Sequence, residues 1–217
     1  MESAASLKMI VTTTSGWEHV DIDFARTKGI QVARCPLARR DAVVDTSLAM
    51  GLALRRQLPS LQKKAAMGVW DRPSLPSRAT GLVKGVRVGL VGMGVIGRAA
   101  RQAWVALGAQ VRFCDPLVEG GEEFSEILPW GEILSLHCAL NSSTRHLINE
   151  ETLKQMSPGC ILINTARGGS VDLESLRRAQ HLGGVGLDVY EQEPSSQLSV
   201  LSQQENVILT PHSAGYH

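Results

Sequence analysis

The stretch that decides the fold of this chain is Val86-Arg-Val-Gly-Leu-Val-Gly92-Met-Gly94-Val-Ile-Gly97-Arg. A hydrophobic run turns through three glycines into an amphipathic segment, which predicts a strand, a tight turn and a helix that begins near Ile96. Gly92 permits the tight turn, and Gly94 lets a pyrophosphate approach the backbone. Gly97 lets the helix pack closely against the strand, so each glycine has a physical purpose in a dinucleotide-binding turn.

The residues around this turn support the same interpretation. The amides of Val95 and Ile96 lie at the predicted helix start, where free N–H groups and the helix dipole favour phosphate. A second strand follows at residues 110–115, and its last residue, Asp115, stands 21 positions beyond Gly94. That is the distance expected for a carboxylate that binds a ribose 2′-hydroxyl. Because no lysine or arginine directly follows Asp115, the sequence predicts NAD rather than NADP.

Composition excludes several other classes of protein. The chain has 217 residues, of which 43% are hydrophobic and 20% charged, and its formal net charge is +1. Without a basic run, neither nucleic acid nor an anionic membrane is an expected partner. No apolar segment is long enough to span a bilayer, and no signal peptide is recognisable. The four cysteines are widely spaced and lack metal-ligand spacing, so we expect reduced thiols, no metal site and a cytoplasmic location.

Strands and helices alternate along the chain, which predicts an α/β fold with a doubly wound parallel sheet. Beyond the strand of the glycine-rich turn, the pattern predicts strands at residues 9–11, 29–32, 111–114, 133–137, 160–164, 185–188 and 206–210. It predicts helices at residues 21–27, 41–58, 96–107, 149–156 and 171–180, with the second of these ending before Pro59. Residues 71–77 hold two prolines and two serines and are predicted as a loop or arm.

The chain resembles the D-isomer-specific 2-hydroxyacid dehydrogenases, a family that includes glyoxylate and hydroxypyruvate reductases and phosphoglycerate dehydrogenases. Besides the glycine-rich turn, the resemblance is carried by a few ordered motifs: Ser15-Gly-Trp-Glu-His-Val-Asp, Asn141-Ser-Ser-Thr-Arg-His-Leu-Ile, Leu162-Ile-Asn-Thr-Ala-Arg-Gly-Gly, Gly186-Leu-Asp-Val-Tyr-Glu-Gln-Glu-Pro and Thr210-Pro-His-Ser-Ala-Gly. The family fold it implies is a Rossmann NAD-binding domain joined to a flavodoxin-like substrate domain.

The resemblance also implies catalytic residues for the interconversion of a small 2-keto acid and its D-2-hydroxy acid. Arg167 matches the arginine that grips the substrate carboxylate, a task suited to a planar guanidinium. His212 matches the acid/base, which donates a proton to the developing alkoxide or accepts one from the hydroxyl. Glu193 matches the partner of this imidazole, although sequence physics alone does not separate it from Glu191.

Further residues are implied to bind the cofactor or the substrate. Asp188 would bind the nicotinamide carboxamide, while the backbone around Ser15 and Gly16 would cradle the substrate carboxylate. His137 follows a predicted strand and either approaches the cofactor phosphates or is a satisfied residue at the strand end. Thr165 and Ala166, which precede the matched arginine, are also expected beside the cofactor.

The chain departs from the family pattern at both ends. Family members usually carry additional residues before the segment that begins here at Met9, and they continue beyond His217. We therefore expect residues 1–35, with 213–217, to be a remnant of the substrate domain, and residues 36–212 to be the NAD-binding domain. The resemblance also implies a homodimer, because the family pairs through the helix matching residues 41–58 and the arm after it.

Two functions are compatible with these observations. The first is an NAD-dependent oxidoreductase that transfers hydride between the nicotinamide and a small 2-keto or 2-hydroxy acid. The second is a truncated NAD(H)-binding module with little or no turnover, acting as a regulatory or dimerising partner. Turnover of NADH with a 2-keto acid separates the two.

Overall fold

Strands and helices alternate in the computed structural model, which describes residues 6–13, 16–17, 19–77, 81–196 and 198–216. The strands are β1 (Met9–Thr12), β2 (Gln31–Arg34), β3 (Arg87–Val91), β4 (Gln110–Cys114), β5 (Ile133–Leu136), β6 (Ile161–Asn164), β7 (Gly184–Leu187) and β8 (Val207–Leu209). The helices are α1 (Ile22–Thr27), α2 (Arg40–Arg55), α3 (Leu58–Ala66), α4 (Val95–Ala106), α5 (Phe124–Trp130), α6 (Glu150–Gln155), α7 (Leu173–Arg178) and α8 (Leu198–Leu201). Short 3₁₀ helices cover Arg72–Ser77 and Gly168–Ser170.

The main sheet is parallel throughout and has the order β4-β3-β5-β6-β7-β8. From β3 the chain first adds β4 on one side and then crosses to add β5 on the other. This reversal makes the gap between β3 and β5 a topological switch point, where open α/β sheets bind ligands beyond the carboxyl ends of their strands. The predicted α/β class with a parallel, doubly wound sheet is confirmed.

Helices cover both faces of this sheet, so its central strands are apolar on both sides. On one face, α2 and α4 bury Leu54 and Trp104 against Ile133, Ile161 and Ile163. On the opposite face, the residues that alternate with these isoleucines pack against α5, α6 and α7; they include Leu134, Leu136, Leu162 and Leu187. The helices of both faces pack against the sheet, and this packing positions the loops that follow the strands at its carboxyl edge.

A second, two-stranded sheet is formed by β1 and β2, which are parallel and joined through α1. The side chain of Asp21 caps α1 by accepting a hydrogen bond of 2.8 Å from the amide of Phe24. The prediction that the second strand begins at residue 29 is wrong by two residues. Gly29 has a φ of 65° and forms the turn before β2, a conformation that glycine adopts without steric cost.

The long helix predicted for residues 41–58 is in fact two helices. α2 ends at Arg55, and Gln57 takes a left-handed conformation with a φ of 53° before α3 begins at Leu58. Pro59 therefore lies in the first turn of α3 instead of terminating the preceding helix. Proline is tolerated there because its missing N–H has no intrahelical partner at that position.

Two further elements differ from the prediction. Residues 71–77, predicted as a loop or arm, contain the 3₁₀ helix Arg72–Ser77. The sequence pattern also missed α5, which is short, contains Pro129 and follows two glycines. A capping box stabilises its start, since the Glu123 side chain accepts from the N3 amide and the Glu126 side chain accepts from the Glu123 amide.

Candidate active site

The glycine-rich turn joins β3 to α4 at the switch point of the sheet. Gly92 has a φ of 96°, and a Cβ atom on it would lie 2.7 Å from the backbone of His137 and Cys138, which follow β5. A Cβ on Gly97 would lie 2.1 Å from the carbonyl oxygen of Gly92. Both positions therefore require glycine, one for the turn and its close approach to β5, the other for the approach of helix to turn.

The middle glycine of the turn is different, and it bears on whether a dinucleotide fits. A Cβ on Gly94 would meet no atom of the described residues within 4 Å, and no side chain caps the helix it precedes. Val95, next to it, is exposed, and Ile96 is half-buried. The turn thus presents open space beside the free N–H groups of a 12-residue helix, which suits a pyrophosphate.

Asp115 lies directly after β4 and buttresses the same turn. Its Oδ2 accepts a hydrogen bond of 2.6 Å from the amide of Met93, and its Oδ1 accepts one of 2.9 Å from the amide of Leu117. Because each carboxylate oxygen has two acceptor sites, the group retains capacity for a ribose hydroxyl. The position at the edge strand next to β3 fits that use.

After β5 and β6, the described side chains of His137 and Thr165 each hold a buried polar atom without a hydrogen-bond partner. Within the described residues, Nδ1 of His137 and Oγ1 of Thr165 are buried and make no hydrogen bond. The other ring nitrogen of His137 lies 3.0 Å from Oγ of Ser135, and burial of the ring lowers its pKa to about 4. The imidazole is therefore neutral at physiological pH. Buried polar atoms are normally paired, so these two are suited to meet groups of a bound cofactor.

Arg167 follows β6 and begins the 3₁₀ turn Gly168–Ser170. Asn164 shapes this loop, since its Nδ2 donates to the carbonyl of Arg167 at 2.9 Å and its Oδ1 accepts from the amide of Ala166 at 3.0 Å. The guanidinium is half-buried and donates from Nη1 to the carbonyl of Ala166 at 2.7 Å. The loop thus carries Thr165, Ala166 and Arg167 at the carboxyl end of a central strand.

His212 lies after β8, and its Nδ1 is 2.7 Å from Oε2 of Glu193. An ionised carboxylate only accepts, so the proton of this hydrogen bond is assigned to Nδ1. The other oxygen of Glu193 accepts from the amide of Tyr190 at 2.9 Å, which fixes the carboxylate plane. Glu191 takes no part here, because its oxygens contact Arg145 and His146. Of the two glutamates, Glu193 is therefore the one that contacts His212.

Asp188 follows β7 and is 1% exposed. Both carboxylate oxygens accept hydrogen bonds from the loop that carries His212: Oδ1 from the hydroxyl of Thr210 and the amide of Ser213, Oδ2 from the amide of Ala214. The carboxylate therefore anchors this loop, in line with the alternative interpretation of Asp188 as a capping residue at the strand end. Only Oδ2 keeps an obvious free acceptor site for a carboxamide.

Along the carboxyl edge of the sheet, the candidate residues follow the strand order Asp115, Gly92, His137, Arg167, Asp188 and His212. Neighbouring strands are about 4.8 Å apart, so four spacings, or about 19 Å, separate the glycine turn from the strand that leads to His212. Gly16 lies half-buried between β1 and α1, while Ser15 is outside the described residues. The structure thus gathers every described candidate of the main sheet on one edge.

Several residues of this edge were not singled out from the sequence. Asn164 was assigned only to a strand, although an Asn at a strand end is a signal for a local side-chain turn. The hydroxyl of Tyr190 donates to the carbonyls of Leu187 and Thr210, and burial next to Asp188 and Glu193 raises its pKa to about 12. This tyrosine ties the turn that bears Glu193 to the strand before His212.

The described part of the chain holds neither a candidate metal centre nor a membrane-spanning helix. It contains no cluster of three or more His, Cys, Asp or Glu residues arranged to hold a metal ion. Among the same residues, no helix combines the length and apolar character needed to cross a bilayer.

A dinucleotide-binding Rossmann domain is the class that this fold and site define, and comparison with known proteins makes the assignment narrower. The profile of the D-isomer specific 2-hydroxyacid dehydrogenase NAD-binding domain matches residues 48–214. The chain belongs to this family, as its motifs indicated, and NAD is the cofactor of the domain. The site residues present fit that group, as the open glycine turn and the unpaired atoms of His137 and Thr165 show.

Individual relatives agree with this assignment. The chain is 37% identical over 228 residues to a glyoxylate reductase of Thermofilum pendens, covering 99% of this chain and 67% of the relative. It superposes on the crystal structure of the TT0316 protein of Thermus thermophilus with a TM-score of 0.90 and 36% identity, covering 100% of this chain and 71% of the other. It also superposes on the crystal structure of D-lactate dehydrogenase from Aquifex aeolicus complexed with NAD and lactic acid, with a TM-score of 0.85 and 31% identity. That superposition covers 97% of this chain and 71% of the other. The chain thus spans about two thirds of the length of these relatives.

Proposed function

We propose that this protein is an NAD-dependent oxidoreductase that interconverts a small 2-keto acid and its D-2-hydroxy acid. The observation that carries the proposal is the contact of 2.7 Å between His212 and Glu193, one strand away from Asp188 and two from Arg167. A histidine held by a carboxylate, with an arginine two strands away on the same edge of the sheet, provides a proton donor and an anion-binding group for one substrate. The family assignment and the reductase and dehydrogenase activities of the relatives support the same reaction.

When bound, NADH supplies the hydride that reduces the C2 carbonyl, and NAD accepts it in reverse. In the mechanism we infer, Arg167 binds the substrate carboxylate and polarises the carbonyl oxygen, because its planar fork offers two parallel donors. His212 gives the proton on Nε2 to that oxygen, while Nδ1 stays bonded to Glu193. Glu193 keeps the ring oriented through this contact. The products are the hydroxy acid and NAD, and His212 regains its proton from water.

Cofactor binding is assigned to residues along this edge from β4 to β7. We propose that the amides of Gly94, Val95 and Ile96 bind the pyrophosphate and that Asp115 accepts from a ribose hydroxyl. His137, Thr165 and Ala166 line the cofactor, and Asp188 contacts the carboxamide through Oδ2 in addition to anchoring its loop. Gly16 and Ser15 would provide backbone amides for the substrate carboxylate.

The experiment mixes the protein with NADH and glyoxylate, hydroxypyruvate or pyruvate and follows absorbance. We expect turnover with at least one acid and a loss of kcat of about 100-fold or more in His212→Gln, the range that general acid–base catalysis contributes. Glu193→Gln retains an acceptor for the Tyr190 amide, so its kcat should fall less than that of His212→Gln. Arg177→Gln, on the exposed face of α7, is the control and should keep full activity.

The same assay discriminates the second function considered from the sequence. A truncated NAD(H)-binding module would enhance NADH fluorescence at saturating protein but oxidise none of it with any acid. Retained binding with no turnover in the wild type would overturn the proposed reaction while leaving the Rossmann assignment intact.

We further propose that the protein is a homodimer, paired through the region of residues 41–58, which holds α2 and the start of α3, and through the segment after it. In a single copy of the protein, several large apolar side chains of this region are exposed to water. They are Leu58, Met67, Val69, Trp70, Leu75 and Leu82. Trp70 is 83% exposed, and exposed apolar patches that contain an aromatic side chain are typical of interfaces. We assign a second copy as the occupant, since the family resemblance implies a homodimer and a two-fold dimer pairs the same patch on both molecules. Light scattering should give twice the monomer mass for the wild type and the monomer mass for Trp70→Glu.

The division into domains remains a proposal. We assign residues 36–212 to the NAD-binding domain and residues 1–35, with 213–217, to part of a substrate-binding domain, since β1 and β2 form a sheet of their own. Limited proteolysis should cut first between these units.

A cytoplasmic location is supported by the four cysteines, which are all free thiols, and fractionation of cells that express the protein would test it.

A further inference from the structure

Arg145 and Glu191 form an ion pair between two loops of the site that are not neighbours in the sheet. Arg145 follows β5 and Glu191 follows β7, with β6 between them. Nη2 of Arg145 donates to Oε1 of Glu191, and Nε2 of His146 lies 3.2 Å from the other carboxylate oxygen. We call Arg145, His146 and Glu191 the strap. The proposed reaction uses none of these three residues.

The strap crosses the loop that bears Arg167. A Cβ on Gly169 would lie 3.7 Å from Nη1 of Arg145, so the guanidinium passes directly over this glycine. Beneath it, the amide of His146 donates to the carbonyl of Gly169 at 2.8 Å, and the amide of Ile148 donates to the carbonyl of Ser170 at 3.0 Å. The loop after β5 therefore holds the turn Gly168–Ser170 through both backbone and side chain.

At its other end, the strap reaches the turn that carries Glu193. A Cβ on Gly168 would lie 1.9 Å from the carbonyl carbon of Tyr190, so the backbones of the two loops are in direct contact there. The amide of Tyr190 fixes one oxygen of Glu193, whose other oxygen holds His212. Glu191 lies between Tyr190 and Glu193 in sequence. Glu191 is therefore part of the same short turn as the residue that orients the imidazole.

We propose that the Arg145–Glu191 pair is a positioning device that sets Arg167 and the Glu193–His212 pair relative to one another. The inference rests on the proposed function, because it concerns how well those groups are aligned for a 2-keto acid. The side chains of Arg145 and Glu191 are 57% and 36% exposed, and exposed ion pairs add little to stability. Misplacement of a catalytic group by about 1 Å, in contrast, can cost about 100-fold in rate. The effect of the strap should thus be found in catalysis rather than in the melting temperature.

The kinetic test compares Glu191→Gln with Glu174→Gln. The control pair, Glu174 with Arg177, is also exposed but lies within α7, away from the site. We expect kcat/KM to fall about tenfold in Glu191→Gln, part of the range for a misplaced group, and to stay unchanged in Glu174→Gln. The melting temperatures of both variants should match. The exchange Arg145→Glu with Glu191→Arg should recover most of the loss, since the opposite charges again span the loop.

An independent readout uses the protein without cofactor or substrate. Long-range proton–nitrogen spectra show which ring nitrogen of His212 carries the proton, and the wild type should show it on Nδ1, bonded to Glu193. Glu191→Gln should give a mixture of the two tautomers, while Glu174→Gln should keep the wild-type spectrum. If the wild type shows no turnover yet the His212 spectrum changes in Glu191→Gln, the proposed reaction fails and the positioning device stands. Wild-type rates and spectra in Glu191→Gln would overturn the inference, as would a loss accounted for by unfolding.

Discussion

Asp188 holds the chain on both sides of His212. The amide of His212 donates to the carbonyl of Asp188 at 2.7 Å, and the carboxylate of Asp188 accepts from the amides of Ser213 and Ala214 at 2.8 and 3.0 Å. His212 itself has a φ of 53°, in the left-handed region that residues with a side chain rarely adopt. Such strain is typical of functional positions and persists only when the surroundings fix it. Asp188 supplies that constraint here.

Asp188→Asn should therefore impair both stability and catalysis. The amide has one acceptor oxygen where the carboxylate had two, so in either orientation its NH₂ group faces a backbone N–H, that of Ser213 or that of Ala214, which leaves two donors opposed. We expect the free energy of unfolding to fall by about 1–3 kcal/mol, the cost of a buried unsatisfied group, and kcat to fall with it. Urea unfolding and steady-state kinetics measure the two effects. The exposed Asp41→Asn serves as the control, and equal behaviour of the two variants would refute the anchoring role.

The glycine turn offers a matched pair of substitutions. Gly97→Ala places a Cβ 2.1 Å from the carbonyl of Gly92, so the turn or the helix must shift, and we expect a lower melting temperature. Gly94→Ala meets no described atom within 4 Å and should keep the wild-type melting temperature. It should nevertheless weaken NADH binding, because the methyl group occupies the approach of the pyrophosphate. NADH fluorescence titration and calorimetry measure these effects. Unchanged NADH affinity in Gly94→Ala would contradict the proposed cradle.

Arg167→Lys tests whether substrate binding requires the two parallel donors of a guanidinium or only a positive charge. Lysine keeps the positive charge but loses the planar pair of donors, so it binds a carboxylate as a point charge. We expect KM for the 2-keto acid to rise by about tenfold or more, which corresponds to about 1.4 kcal/mol of lost interaction. The dissociation constant of NADH should not change, since the cofactor is assigned to other residues. A variant with normal KM but weak NADH binding would move Arg167 from the substrate to the cofactor.

Stability should depend on pH through His137. Burial lowers the pKa of its ring from 6.5 to about 4, so the unfolded chain binds a proton between these values that the folded chain does not. The free energy of unfolding is therefore expected to decrease as the pH falls from about 6.5 towards about 4. Urea unfolding over this range should show a smaller slope with pH in His137→Gln, which has no titrating ring. His19→Gln is the control, and it should reproduce the wild-type slope.

Local signals predicted much of the fold. The glycine spacing, the distance to Asp115 and the alternation of apolar segments are properties of short stretches, and β3, α4 and β4 lie where these signals placed them within a residue or so. The break between α2 and α3 was missed because an apolar period continues through residues 41–58 while one residue, Gln57, turns left-handed. α5 was missed because seven residues with an internal proline hold too few turns to show a helical period.

The sequence by itself determined the parallel α/β fold, the family and the residue types available for chemistry, because strand, turn and helix preferences are local. Tertiary structure showed that Glu193 contacts His212, as the family pattern implied and sequence physics left open, and it alone showed that Asp188 anchors the histidine loop and that Arg145 reaches Glu191. These contacts join residues far apart in the chain, 46 positions in the case of Arg145 and Glu191. Their partners are set by the order of strands in the sheet, which brings the loops after β5, β6, β7 and β8 side by side. No short stretch of sequence carries that order.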